Sequence, residues 1–136
     1  MGYIFIIGYI VIVGIATFLM KVGLKSLSPY QLNFLMGIGM LITGIPALLI
    51  AEKSLKIPSK ELPTGLIIGI MMATGSILYV LALDKLPASV AAVLATIYVL
   101  VVVVLSFIFL KEGFDLIKVL GILFTFAGAA LLIWKA

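Results

Sequence analysis

The side chains with something to offer chemically are uncharged, and they lie inside long apolar runs. Counted from the middle of each run, Thr43, Thr74, Ser76, Thr96 and Tyr98 fall near the centre. Tyr79 is one turn off-centre from Ser76, and Thr17 and Asn33 lie nearer one end. A single Ser or Thr in such a setting more often bonds its own helix backbone than a ligand. Asn33 and the two tyrosines are harder to hide, because a buried phenol or amide wants a partner and a Tyr ring offers an apolar or cation-friendly wall. A cavity lined by Thr17, Asn33, Ser76, Tyr79, Thr96 and Tyr98 could hold a small organic solute without charge complementarity.

Other chemistries lack their residues. The chain has no Cys, no His and no Arg. That removes thiol and imidazole nucleophiles, the usual zinc sites and guanidinium clamps for phosphate. The acids Glu52, Glu61, Asp84, Glu112 and Asp115 all sit at the ends of apolar runs. Proton coupling usually rests on a carboxylate at depth, so carboxylate-driven antiport is disfavoured. Glu112 and Asp115 suit helix-end electrostatics better than a metal, with Asp115 placed to cap the last run. No nucleophile, base and metal converge at any depth, so no enzyme, metal site or cofactor is expected. Lys21 is the deepest charge, and its simplest role is a lysine snorkelling to an interface.

These residues must be positioned by a membrane-embedded scaffold. The apolar share is 65% and the charged share 10% over 136 residues. Soluble chains run at roughly 45–50% and about 25%. A soluble domain of this size cannot bury that much apolar surface, and the mean hydropathy of +1.46 agrees. The pI of 9.4 does not imply nucleic acid, because the lysines are scattered singly between apolar runs and suit membrane flanks.

Charges and prolines cut the chain into five runs, residues 3–20, 30–50, 62–83, 88–110 and 117–134. Each is close to the ~20 residues that cross a bilayer core of ~30 Å as a helix. The expected fold is an all-α polytopic membrane protein, one domain over residues 1–136 with five transmembrane helices. The first run lacks the basic start and small-residue cleavage site of a signal peptide and is expected to be a retained span. The Val- and Ile-rich stretch Tyr98–Leu110 favours a strand in water, but a lone strand in lipid would leave its backbone unpaired, so a helix is expected. Pro29 and Pro87 stand near helix starts, and Pro46 should kink the second span near Thr43 or Gly44. Gly65, Gly69 and Ala73, Ala88 with Ala92, Ala91 with Ala95, and Gly121, Thr125 and Ala129 form small-residue faces suited to close helix approach, within one chain or between copies.

Five spans put the chain ends on opposite sides. Lys53, Lys56, Lys60, Lys111 and Lys118 then share a side with the N-terminus, against Lys21, Lys25, Lys85 and Lys135 opposite. The positive-inside rule needs a bias. Five against four is almost none, which fits either orientation by other cues or insertion both ways.

The second half of the chain resembles a known family. The stretch Leu78–Ala91, with Tyr79, Ala82-Leu83, the polar turn Asp84-Lys85 and the small-residue start Ala88-Ser89, is similar to the third-to-fourth helix turn of EamA-like proteins in the drug/metabolite transporter superfamily. Leu105–Glu112 is similar to that family's helix ending in a Leu-x-Glu-like signature. Gly121-Ile122-Leu123 and Ala127–Leu132 look like its fifth helix, and Gly14 with Lys21-Val22-Gly23-Leu24 like its first, with Val13 where Trp is common. The resemblance covers the whole chain as one five-helix repeat. It implies export or exchange of small metabolites or drugs by alternating access. Most members carry two inverted repeats, so a lone repeat implies pairing with itself, as an antiparallel homodimer with a midplane site in the cell membrane. The near-equal Lys count is what such a chain needs. The rivals are one half of a heterodimeric transporter and a non-transporting assembly or regulatory subunit. Some single-repeat relatives carry an Asp-Lys pair where this chain has Ala95-Thr96, so a mechanism built on that pair does not carry over. The expected cavity wall comes from the first, third and fourth helices. Tyr79 and Tyr98 are its aromatic faces, Ser76 and Thr96 its hydrogen-bonding groups, and Thr17 and Asn33 lie nearer the mouth. The second helix is the expected gate.

Overall fold

The computed structural model describes residues 2–54, 57–111, 113 and 115–134. Lys56, Glu112 and Lys135, and the side chain of Lys118, which enter the charge arguments above, lie outside the described residues. Among the described residues every regular element is a helix. They are α1 (Gly2–Gly23), α2 (Pro29–Glu52), α3 (Leu62–Lys85), α4 (Ala88–Ala95), α5 (Tyr98–Leu110) and α6 (Leu116–Trp134). Four stretches, Gly2–Gly23, Pro29–Glu52, Leu62–Lys85 and Ala88–Leu110, are long and apolar enough to cross a membrane, and Val119–Leu131 is a shorter apolar helix. Large apolar side chains point outward along these helices, as with Phe5, Ile10, Ile42 and Phe109. In water such a surface would drive aggregation; against lipid it is the natural solvent face. The fold is therefore that of a five-span helical membrane protein, with α4 and α5 sharing the fourth span.

The chain divides into two units, Met1–Lys85 and Leu86–Ala136. In the first, α1 and α2 are joined by the short turn 24–28. Ser28 caps α2: its hydroxyl accepts from the Gln31 N–H at 3.2 Å, while the Gln31 side chain accepts from the Ser28 N–H at 2.9 Å. Pro29, at the first helical position, has no N–H to lose there. These three residues close the start of α2 against the end of α1, where the Leu32 side chain packs over Gly23. α2 then runs uninterrupted through Pro46 to Glu52. The Thr43 hydroxyl, one turn before that proline, donates to the Gly39 and Met40 carbonyls. The fully buried side chains of this unit are Val80 and Leu83, on α3.

In the second unit α4 packs on α6. Its buried residues are Val90, Ala91 and Ala129, so two of the small residues marked in the sequence lie under cover. The Gly65–Gly69 face of α3 is different. A methyl added at either glycine would meet nothing within 4 Å. Asp115 stands just before α6, where its carbonyl accepts from the Val119 N–H at 3.1 Å. Its negative charge stands at the positive end of the helix dipole.

Two helices end on a left-handed lysine. Lys53 after α2 and Lys111 after α5 both have φ of 53°. Each turns its N–H back onto the helix, Lys53 to Leu49 O and Lys111 to Ser106 O. Glycine is the usual residue in this role. Lysine accepts the backbone strain and in return places a positive charge at a helix C-terminus.

Candidate functional site

In the first unit the polar groups form a ladder leading inward from one end. Lys21 lies in the last turn of α1, and its ammonium donates to the Leu83 carbonyl at 2.6 Å and to the Asp84 carbonyl at 3.3 Å. These are among the last carbonyls of α3, which have no partner within their own helix. Lysine thus supplies a C-terminal cap from a different helix. The role is more specific than the interfacial snorkelling expected from the sequence. Asp84 meanwhile pairs with its neighbour Lys85 at 3.0 Å.

One turn before Lys21, on the same face of α1, is Thr17, which is buried. Ser76, Tyr79, Val80 and Leu83 follow helical spacing and make one stripe along α3. Leu83 lies at the level of Lys21, which puts Tyr79 about one turn deeper and Ser76 about two turns deeper. There the Ser76 hydroxyl donates to the Asn33 side-chain oxygen of α2 at 2.7 Å. Two residues proposed from sequence as separate lining groups are thus directly bonded. Tyr79 is half-buried beside them in the α3 stripe.

In the second unit the fourth span is broken near its middle. Thr96 and Ile97 separate α4 from α5. Their φ/ψ of −64°/−16° and −61°/−22° are close to a tight 3₁₀ turn. The ladder there shifts from i−4 to i−3 bonds: Thr96 N–H to Val93 O, Ile97 to Leu94, Val99 to Thr96 and Leu100 to Ile97. The Thr96 hydroxyl also donates to Val93 O at 2.6 Å. Back-bonding of this kind bends helices. It frees the Ala92 and Ala95 carbonyls from the N–H groups of Thr96 and Val99 that an unbroken helix would bring to them. Sequence reasoning gave no break here. Its only trace is a Thr followed by the branched Ile97 and the aromatic Tyr98 in an otherwise uniform apolar run.

Thr96 and Tyr98 point to different sides of this span. Thr96 lines a niche with Ile97, Val99, Ile122, Thr125 and Phe126, about 20 Å³ in volume. That is room for about one water, whereas solute sites run from roughly 300 Å³ upward. Tyr98 lies outside the niche and is 61% exposed within the chain. Among the described residues no group of His, Cys, Asp and Glu gathers in a way that could hold a metal.

An all-helical chain with outward apolar faces, a broken span and a polar ladder between spans belongs to the class of polytopic membrane proteins. The EamA-like transporter family model matches residues 1–134, and the chain is a member of that family. Neither the curated proteins nor the solved structures give a match.

Proposed function

We propose that the protein transports small organic metabolites or drugs by alternating access, as an antiparallel homodimer in the cell membrane with its site near the midplane. The observation that carries this reading is the Asn33–Ser76 hydrogen bond, a polar pair between two spanning helices whose outer faces are apolar. Polar groups within the hydrocarbon are kept as bonds between helices or where they meet a solute or a wet cavity, and the open side of the Asn33 amide favours the second. The pair sits with Thr17 and Tyr79 on the inward ladder of the first unit, and in the fourth span Thr96 lies in the break with Tyr98 just after it. One five-helix copy supplies half of the ten spans that an inverted-repeat transporter uses, and the near-equal lysine count suits insertion in both directions. The uninterrupted, proline-bearing α2 is the gate in this scheme, moving against α3. No cofactor and no catalytic step are involved.

The test is solute flux through purified protein in liposomes, over a panel of uncharged, anionic and cationic metabolites, with C-terminal reporters scored on both sides of the membrane. Saturable flux with reporters active on both sides supports the proposal. Flux only with a second, differently oriented paralogue favours a heterodimer. Absence of flux for the whole panel favours a non-transporting subunit.

A further inference from the structure

Asn33 is the only asparagine in the chain. Its side-chain oxygen is occupied by the Ser76 hydroxyl at 2.7 Å. With its oxygen on Ser76, the amide turns that oxygen toward α3 and the nitrogen with its two N–H groups away from it. Among the described residues nothing accepts from that nitrogen. Among the described residues no side-chain nitrogen or oxygen is both sealed off and unbonded, so the half-buried Asn33 amide nitrogen reaches an open surface. Two unpaired donors facing lipid would cost several kcal/mol. They fit an aqueous cavity in which an acceptor replaces water.

From this we infer that the site is a donor site: Asn33 recognises a carbonyl or carboxylate oxygen of the transported solute, and Ser76 is the positioning residue that holds the amide in the donating orientation. The inference rests on the transport reading and narrows its substrate class to neutral or anionic solutes that carry such an oxygen. Amines are disfavoured, because the open side of the amide presents its two donors while its oxygen is turned to Ser76. The nearest cation on the ladder, Lys21, lies near the helix ends and points to the α3 carbonyls.

The single asparagine makes the test direct. Protein labelled with ¹⁵N only at asparagine and held in lipid nanodiscs gives one side-chain amide pair. It is titrated with three probes that share one skeleton: 4-methylpentanamide, 4-methylpentanoate and isoamylamine. Saturable downfield movement of the pair with the amide or the carboxylate, and none with the amine, is the expected result. Movement with the amine alone, or silence with all three, overturns the inference. So does an amide pair already protected from water exchange without solute, because protein would then cover the donors. Asn33→Asp keeps an oxygen for Ser76 and replaces the donors with a second acceptor. It should weaken acceptor-probe binding by about tenfold, the effect of one net hydrogen bond, and raise that of isoamylamine. If that variant fails to fold, the wild-type titration still decides. The two readings fail separately. Amide shifts without flux of any panel solute remove the transporter and leave the donor site, whereas flux with amine-only shifts does the reverse.

Discussion

The Lys21 ammonium lies 2.6 Å from the Leu83 carbonyl oxygen and so ties the end of α1 to the end of α3, across 62 positions of sequence. A charged hydrogen bond of this kind contributes about 1.5–3 kcal/mol. Lys21→Met should therefore lower the melting temperature of the purified protein, and Lys21→Arg should recover part of the loss. Removing Lys21 also changes the charge balance across the membrane. Lys25→Met, which makes the same change of balance, is the control: it should move topology reporters without a comparable drop in melting temperature. Equal melting temperatures for the two variants would show that the Lys21 contact contributes nothing.

A double-mutant cycle on Asn33 and Ser76 should return a coupling of about 0.6 kcal/mol, and up to about 1.7, the range for side-chain bonds between spanning helices. The variants are Asn33→Ala, Ser76→Ala and the pair, and the readout is denaturation in detergent. Coupling within error of zero would mean that the 2.7 Å bond does not persist in solution.

Thr96 and Tyr98 should separate fold from transport. The Tyr98 side chain is 61% exposed and outside the niche. Tyr98→Phe should therefore change stability by less than about 0.5 kcal/mol, and a shift in apparent solute affinity would put it on the cavity wall. Thr96→Val removes the bond to Val93 O and should stiffen the fourth span, slowing turnover more than it weakens binding. If Tyr98→Phe leaves affinity unchanged while Thr96→Val alters it, the site lies on the Thr96 side.

Lys53 and Lys111 offer a test of topology without a large change in fold. Each sits at φ 53°, where glycine relieves roughly 1 kcal/mol of strain, and each loses a dipole contribution of about 0.3–1 kcal/mol when its charge is removed. Lys53→Gly with Lys111→Gly should leave the melting temperature nearly unchanged. The same pair of changes takes two of the five lysines from the N-terminal side, against four opposite. The count becomes three against four, which reverses the sign of a one-lysine bias, so C-terminal reporters should shift measurably toward the cytoplasmic side. Unmoved reporters would mean that the lysine count does not set topology.

The five spans were legible in the sequence because apolar runs near 20 residues, cut by charge, have one physical solution in lipid. Ala91 and Ala129 were legible as close-approach residues, but the same logic marked Gly65 and Gly69, which meet no neighbour within 4 Å. A small residue permits an approach without specifying it. Ser76 was singled out near mid-span and Asn33 nearer one end, yet their bond was not legible, because pairing between helices depends on rotation and register that no local pattern encodes. The partners of Lys21 were not legible for the same reason: they are backbone carbonyls, which every sequence has. The break at Thr96 escaped because Val and Ile on both sides give the same apolar signal whether the ladder is i−4 or i−3.

The break in the fourth span lies close to the centre of Ala88–Leu110, whereas Lys21 and its Leu83 contact lie at one end of their helices. Turning a chain over in the bilayer keeps a central feature at nearly the same depth and carries an end feature to the other face. In a pair of oppositely inserted copies, the two pliable joints would meet at one level. Each face of the membrane would present one copy of the Lys21–Leu83 tie and, beneath it, one Asn33 amide. Entry from either side would then pass the same groups in the same order. Under the proposed antiparallel pairing, the two faces of the membrane would be equivalent, and direction would come from the gradients across it rather than from the protein.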